Sequence, residues 1–249
     1  MKKYHQLMNL NNKSYKIFVD FDGTITQTDV GEAMFLRFGD VAKSKAWVDD
    51  WMDQKISSTE LWRLLCSQVN NFDEKEFDSF LDEIRIDPAF KKFVDYCSTE
   101  GFELRVLSDG FDFYIQKVLE REGLSHLEVY SNKLTFDHEK KLIPLFPFTD
   151  EECTQCGNCK RNHLLNFSSD EDYTFYIGDG NTDICPVQFS DFIFAKNSLL
   201  RYCEINRITY FPYSTFDDVM KKIDELKEKK RLKKRHQAEL KRREVFIQG

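Results

Sequence analysis

Apolar runs rich in β-branched and aromatic residues recur at positions 17–19, 102–107, 173–177 and 193–195. Each is followed by a polar or glycine-containing turn and then by a helical spacing of apolar residues. This alternation predicts an α/β protein: a Rossmann-like parallel sheet with helices on both faces. In such sheets ligands collect beyond the carboxyl ends of the strands, so the turns at 20–24, 108–111 and 178–183 are expected to converge. Between 26 and 86 the strand pattern gives way to helical signals. Ser57-x-x-Glu60 has the form of a capping box ahead of Leu61, Leu64 and Leu65, and Asp73-x-x-Glu76 precedes Phe77, Phe80, Leu81 and Ile84. The expected organisation is a discontinuous core, 14–25 and 87–220, interrupted by an all-helical cap at 26–86. Asp87-Pro88 reads as the N-cap and first residue of a helix that stops near Gly101, and 128–148 reads as short strands extending the sheet.

The final segment, 221–249, breaks this pattern, with 12 Lys+Arg against 5 Asp+Glu and only scattered apolar residues beyond Leu226. It is expected to be a solvated or frayed basic helix. The whole chain of 249 residues carries a net charge of −7, which disfavours general affinity for nucleic acid or anionic membrane. No segment is long and apolar enough to span a bilayer, and the polar start through Asn12 has no apolar leader core. The expectation is a cytoplasmic protein acting on a small molecule, with a homodimer left open.

Candidate chemistry begins at the exit of the first strand. Asp20 and Asp22, spaced i and i+2, project the same way, and two like charges together need a cation or a shared proton. Gly23-Thr24 behind them frees the backbone to approach a ligand. The chain also holds seven cysteines, an odd number that speaks against a disulfide framework. Cys153, Cys156 and Cys159, with His163 four residues on, offer three or four soft ligands for Zn²⁺; the favoured alternative is free or redox-active thiols in a tight loop. Cys66, Cys97, Cys185 and Cys203 lie in apolar or helical patterns and read as small buried side chains.

Four segments together resemble the haloacid dehalogenase superfamily of phosphatases. Asp20-x-Asp22-Gly23-Thr24 matches its first motif, Ser108 its second, Lys160 its third and Gly178-Asp179-Gly180-x-x-Asp183 its fourth. Within that superfamily the helical insertion and Leu107-Ser108-Asp109-Gly110-Phe111-Asp112 resemble the phosphoserine phosphatase group. The cysteine-rich stretch abutting Lys160 is similar to that of the methionine-salvage phosphatases acting on 2-hydroxy-3-keto-5-methylthiopentenyl-1-phosphate.

The resemblance implies a Mg²⁺-dependent phosphatase working through an aspartyl-phosphate. Asp20 is then the nucleophile and Asp22 the general acid and base. Ser108 and the backbone of Asp109 bind phosphoryl oxygens, and Lys160 compensates charge. Mg²⁺ is held by Asp20, the main-chain carbonyl of Asp22 and Asp179, with Asp183 supporting from behind. Asp29 stands where phosphoserine phosphatases place a substrate-sensing glutamate. Glu32 on the cap and Asp112 near a helix start are further candidates for substrate contact. A phosphoserine phosphatase, a phosphotransferase using the same residues, and a non-catalytic binding protein on this scaffold are the rival readings.

Overall fold

The computed structural model describes residues 14–248 apart from 70, 71, 152, 154 and 230, so the polar start through Asn12 lies outside the described residues. Seven strands form one sheet: β1 (Tyr15–Val19), β2 (Glu103–Phe111), β3 (Glu128–Phe136), β4 (Leu142–Leu145), β5 (Tyr173–Gly178), β6 (Phe192–Ala195) and β7 (Phe211–Pro212). Their order is β4-β3-β2-β1-β5-β6-β7, parallel throughout except where β4 runs antiparallel to β3. The α/β class with a parallel Rossmann-like sheet is as expected.

β1 is the central strand, and its register fixes the site. Val19 pairs with Val106 of β2 on one side and Ile177 of β5 on the other, so β1 and β5 end together at one rim while β2 runs past it to Phe111. Side chains alternate between two apolar layers: Ile17 and Val19 join the layer containing Phe93, Ile115 and Phe216, and Phe18 joins the one containing Leu164, Val187 and Leu199. The first layer is supplied by helices α5 (Phe90–Glu100), α6 (Asp112–Arg121) and α10 (Phe216–Lys227), and the second by α7 (Lys160–Asn166), α8 (Ile184–Val187) and α9 (Asn197–Ile205).

All of α1 (Val30–Phe38), α2 (Val41–Met52), α3 (Ser58–Ser67) and α4 (Glu74–Glu83) lies between β1 and β2. The chain leaves and re-enters through an antiparallel bridge at Thr26 and Ile86, where Gln27 N donates to Arg85 O and Asp87 N to Ile25 O. The Ser57 and Asp73 side chains accept from the Glu60 and Glu76 amides as capping requires. Asp29 and Asp40 cap α1 and α2 in the same way.

Three local expectations need correction. β2 continues through Phe111 with a register shift after Leu107, so 108–111 is a bulged strand end rather than a turn beyond the strand. α5 runs from Phe90 rather than from Pro88, although the Asp87 carboxylate still accepts from the Ala89 amide as an N-cap does. The basic tail is docked, not solvated. Helix α11 (His236–Gln248) folds back onto the loop after α8. There Arg235 donates to the carbonyls of Val187, Gln188 and Ser190, and Arg242 donates to Phe189 O (2.5 Å) and Asp191 Oδ1 (2.9 Å). Its anchors are guanidinium groups on carbonyls, which leave no apolar stripe. Among the described residues no helix is long and apolar enough to cross a membrane.

Candidate active site

The ends of β1 and β5, beside the bulged end of β2, bring the polar segments together. Asp20 follows β1, and its N–H still donates to Ile177 O (2.9 Å), which holds it in line with the strand. Lys160 opens α7 on the neighbouring layer, and its Nζ donates to Asp20 Oδ1 (2.5 Å), Asp183 Oδ1 (2.7 Å) and Thr182 Oγ1 (3.1 Å). The ammonium and both carboxylates are almost wholly buried. Burial, with Asp183 next, pushes the Asp20 carboxyl well above the usual range although Lys160 opposes it. At Lys160 burial lowers the pKa, but Asp183 and Asp20 more than reverse that and leave it raised.

Asp183 accepts four hydrogen bonds: from Lys160 and the Tyr176 hydroxyl (2.6 Å) on Oδ1, and from the Asp179 and Gly180 amides on Oδ2. With its oxygens so occupied, it shapes the loop and locks Lys160. Asp179 is held by Thr24 Oγ1 and Asn197 Nδ2, both at 3.1 Å. Gly23, at φ +70°, faces it closely enough that a Cβ would come to 2.6 Å from Asp179 Oδ2.

One oxygen from each of Asp20, Asp179 and Asp183 lies within 4.8 Å of the others. Lys160 is the ammonium bonded directly to Asp20 and Asp183, and Lys196 acts on Asp179 from further off, so three buried or half-buried carboxyls remain short of positive charge. An all-oxygen donor set with that deficit fits a hard divalent cation such as Mg²⁺.

Asp22 is fixed by three donors: the Val30 amide (3.1 Å) on Oδ1, and the hydroxyls of Ser108 (3.1 Å) and Tyr114 (2.9 Å) on Oδ2. Burial raises its pKa, and the hydrogen bonds from Tyr114 and Ser108 oppose the rise. Gly110 is required here, since a Cβ would stand 1.7 Å from the Tyr114 hydroxyl oxygen and 2.7 Å from Asp22 Oδ2. Ser108 therefore spends its hydroxyl on Asp22, and a phosphoryl oxygen would have to compete for it. The Asp109 carboxylate accepts from Asn158 N (2.7 Å), tying the strand end to the loop that carries Lys160.

A cavity of about 400 Å³ opens above these groups. Asp20, Asp22, Asp109 and Asp179 line its floor, while Val48, Trp51, Met52, Leu61, Trp62 and Leu65 from α2 and α3 form an apolar wall. The two halves are in contact where Asn181 Nδ2 meets Met52 Sδ (2.7 Å) and Ser58 N donates to Gln155 O (2.8 Å). Asp29 and Glu32 also line the cavity. Asp29 meets solvent at the mouth, yet burial, with Asp22 next, pushes its carboxyl up to about 7.

Of the other sequence-derived candidates, Asp112 does not line the cavity, because its Oδ1 accepts from Leu134 N (3.1 Å) and joins α6 to β3. His163 is engaged by Asn158 and aromatic neighbours rather than by the three cysteines. Its Nε2 pairs with Asn158 Oδ1 (2.7 Å), its ring packs among Tyr130, Phe148 and Phe167, and burial lowers its pKa to about 4. Sequence reasoning missed Tyr114, Tyr176 and Asn197, whose roles arise from tertiary approach. The apolar residues of α2 and α3 gave no signal beyond a core stripe.

A family model described as "Putative Phosphatase" matches residues 15–202. The chain belongs to this phosphatase family. The 2-hydroxy-3-keto-5-methylthiopentenyl-1-phosphate phosphatase of Brevibacillus brevis is 30% identical over 222 residues, covering 87% of this chain and 98% of the relative. The enzyme of the same name from Bacillus mycoides is 31% identical over 87% of this chain and 99% of its own length. Among solved structures, a phospho-aspartyl intermediate analogue of phosphoserine phosphatase superposes with a TM-score of 0.66 at 17% identity, covering 84% of this chain and 99% of that one. A substrate-bound phosphoserine phosphatase complex gives 0.62 at 16% identity, over 84% and 98%. The fold is that of the haloacid dehalogenase phosphatases, and the chain is a phosphomonoester hydrolase.

Proposed function

We propose that the chain hydrolyses a small phosphomonoester through a covalent phosphate on Asp20, with 2-hydroxy-3-keto-5-methylthiopentenyl-1-phosphate as its substrate. The observation that carries the chemistry is the Asp20–Lys160–Asp183 ion pair at the floor of a cavity that Asp22 also faces. An Asp20 oxygen attacks phosphorus while the bond to the leaving alcohol breaks, and the Asp22 carboxyl gives its proton to the departing oxygen. Asp22, now a carboxylate, takes a proton from water as that water attacks the phosphorus, which frees phosphate and restores Asp20. Lys160 keeps Asp20 oriented and balances the charge arriving on the phosphoryl group.

Asp20, the Asp22 main-chain carbonyl and Asp179 would hold Mg²⁺, with Asp183 behind them. When bound, the ion supplies the positive charge that lets a carboxylate and a phosphate dianion meet. In this reading 14–25 and 87–220 are the catalytic core, 26–86 is the cap and 221–249 is an accessory tail. A cytoplasmic setting follows from a metabolite substrate.

The apolar wall of Val48, Trp51, Met52, Leu61, Trp62 and Leu65 supports the substrate choice, because it suits an uncharged thioether tail. One observation favours a second reading: Asp29 and Glu32 in the same cavity would suit the amine of phosphoserine. A phosphate-release assay over both substrates decides. The methylthiopentenyl phosphate is expected to be turned over with the higher kcat/KM, and a preference for phosphoserine would reverse the assignment. Asp20→Asn should abolish turnover of either; retained Mg²⁺-dependent activity would refute the nucleophile.

A further inference from the structure

Asn158, two residues before Lys160, is almost wholly buried, and each of its polar atoms is engaged. Its Nδ2 donates to Ser108 O (2.7 Å) and Tyr130 O (2.8 Å), and its N–H donates to Asp109 Oδ1 (2.7 Å). Its main-chain carbonyl accepts from Lys160 N (3.0 Å). With both carboxamide protons spent on carbonyls, Oδ1 is left as an acceptor, so His163 Nε2 (2.7 Å) carries the proton between them.

The bulge explains why a carboxamide is needed there. The register shift after Leu107 takes Ser108 and Asp109 out of the regular ladder with β3, and their carbonyls must find donors elsewhere. Asn158 supplies Ser108 O, and Asn132 Nδ2 supplies Asp109 O (2.6 Å). The chain before Asn158 runs so close that a Cβ on Gly157 would stand 2.8 Å from Asn132 Nδ2 and 3.0 Å from Asp109 Oδ1. The groups that face the phosphoryl position sit on separate elements, however. Lys160 Nζ reaches Asp20 beyond β1 and Thr182 and Asp183 beyond β5, and toward the end of β2 its link is Asn158.

We propose that Asn158 is a positioning residue for the hydrolysis: it joins the Ser108–Asp109 strand end to the backbone of Lys160 as one unit, so that both address the same phosphoryl group. Asn158 does not line the cavity and acts through the groups it holds. Donors fixed in advance at the separation the transition state needs cost no reorganisation during the reaction. The proposal rests on the reading of Asp20 as nucleophile, with Ser108, Asp109 and Lys160 around the phosphate.

Asn158→Asp keeps the size of the side chain but cannot donate to two carbonyls at once. Its kcat/KM per folded molecule, with the folded fraction taken from near-ultraviolet circular dichroism, is expected to fall about a hundredfold. The loss should be the same for p-nitrophenyl phosphate and for an alkyl phosphate, because misplaced phosphate-binding groups are common to both leaving groups. An asparagine with only a structural role would lower the urea midpoint and leave that ratio in place. Activity within about threefold of wild type per folded molecule, or a loss confined to the poorer leaving group, would overturn the proposal. Asp20→Asn is measured alongside. An inactive Asp20→Asn with an unimpaired Asn158→Asp sinks the positioning role alone, whereas an active Asp20→Asn sinks the reading beneath it. Because Asn158→Asp could fail to fold, the wild-type chain supplies a second readout. Nitrogen NMR of the His163 ring at neutral pH should show the uncharged Nε2–H tautomer, since burial lowers its pKa to about 4. The Nδ1–H tautomer would remove the donor to Oδ1 and the carboxamide orientation on which the clamp depends, and would overturn it.

Discussion

Arg242 offers the sharpest test of what the basic tail does. Arg242 is 3% exposed, and its partner Asp191 is 5% exposed. In Arg242→Ala, Asp191 Oδ2 would keep its bonds from the Thr174 amide and hydroxyl, but Oδ1 and the Phe189 carbonyl would lose their donor. Removing one partner of a buried ion pair costs about 3–5 kcal/mol, since the other charge stays desolvated. Against a total stability of about 5–15 kcal/mol for a folded domain, that is a large share. With a urea slope of about 3 kcal/mol/M, the midpoint should fall by about 1 M or more, with unchanged slope. Pairing Arg242→Met with Asp191→Asn removes the orphaned charge and should recover part of the loss. Lys222, which pairs with Glu225 on the exposed side of α10, is the internal control, and Lys222→Ala should leave the midpoint in place. A loss below about 1 kcal/mol for Arg242→Ala, the range of a solvent-exposed pair, would refute the docked tail.

Asp22→Asn should slow substrates with poor alcohol leaving groups far more than p-nitrophenyl phosphate, measured as kcat/KM; equal losses across leaving groups would refute the acid role. Gly110→Ala drives a methyl group against the Tyr114 hydroxyl and Asp22. A displacement of about 1 Å at a catalytic carboxyl is expected to cut kcat by about a hundredfold, and activity within twofold of wild type would show the approach to be slack. Asp29 has its folded pKa raised to about 7. The folded state therefore keeps a proton that the unfolded chain releases above about 4, and this group's effect is a loss of stability as pH rises from about 4 to about 7. Asp29→Asn retains the capping oxygen and should flatten that part of the denaturation profile; identical pH slopes would refute the shift.

How far the sequence could be read depended on where each interaction lies along the chain. Strand periodicity located β1, β2, β5 and β6, and the carboxylates at their ends, because both signals are local. Capping pairs such as Ser57 with Glu60 were visible for the same reason. The reading failed where a contact joined distant segments without a period. α11 has no apolar stripe, since its anchors are arginines reaching backbone carbonyls, so composition alone suggested a solvated helix.

The fate of the cysteines follows the same logic. Spacing made His163 the natural fourth ligand, four residues past Cys159, yet the ring is held by Asn158 and three aromatic neighbours. Cys185, in an apolar pattern after the fourth motif, lies in α8, which packs on α7. Lys160 thus couples two things the sequence presented separately, the charge balance of the reacting carboxylate and the placement of a cysteine loop. Any perturbation of the loop should reach Asp20 through that single ammonium.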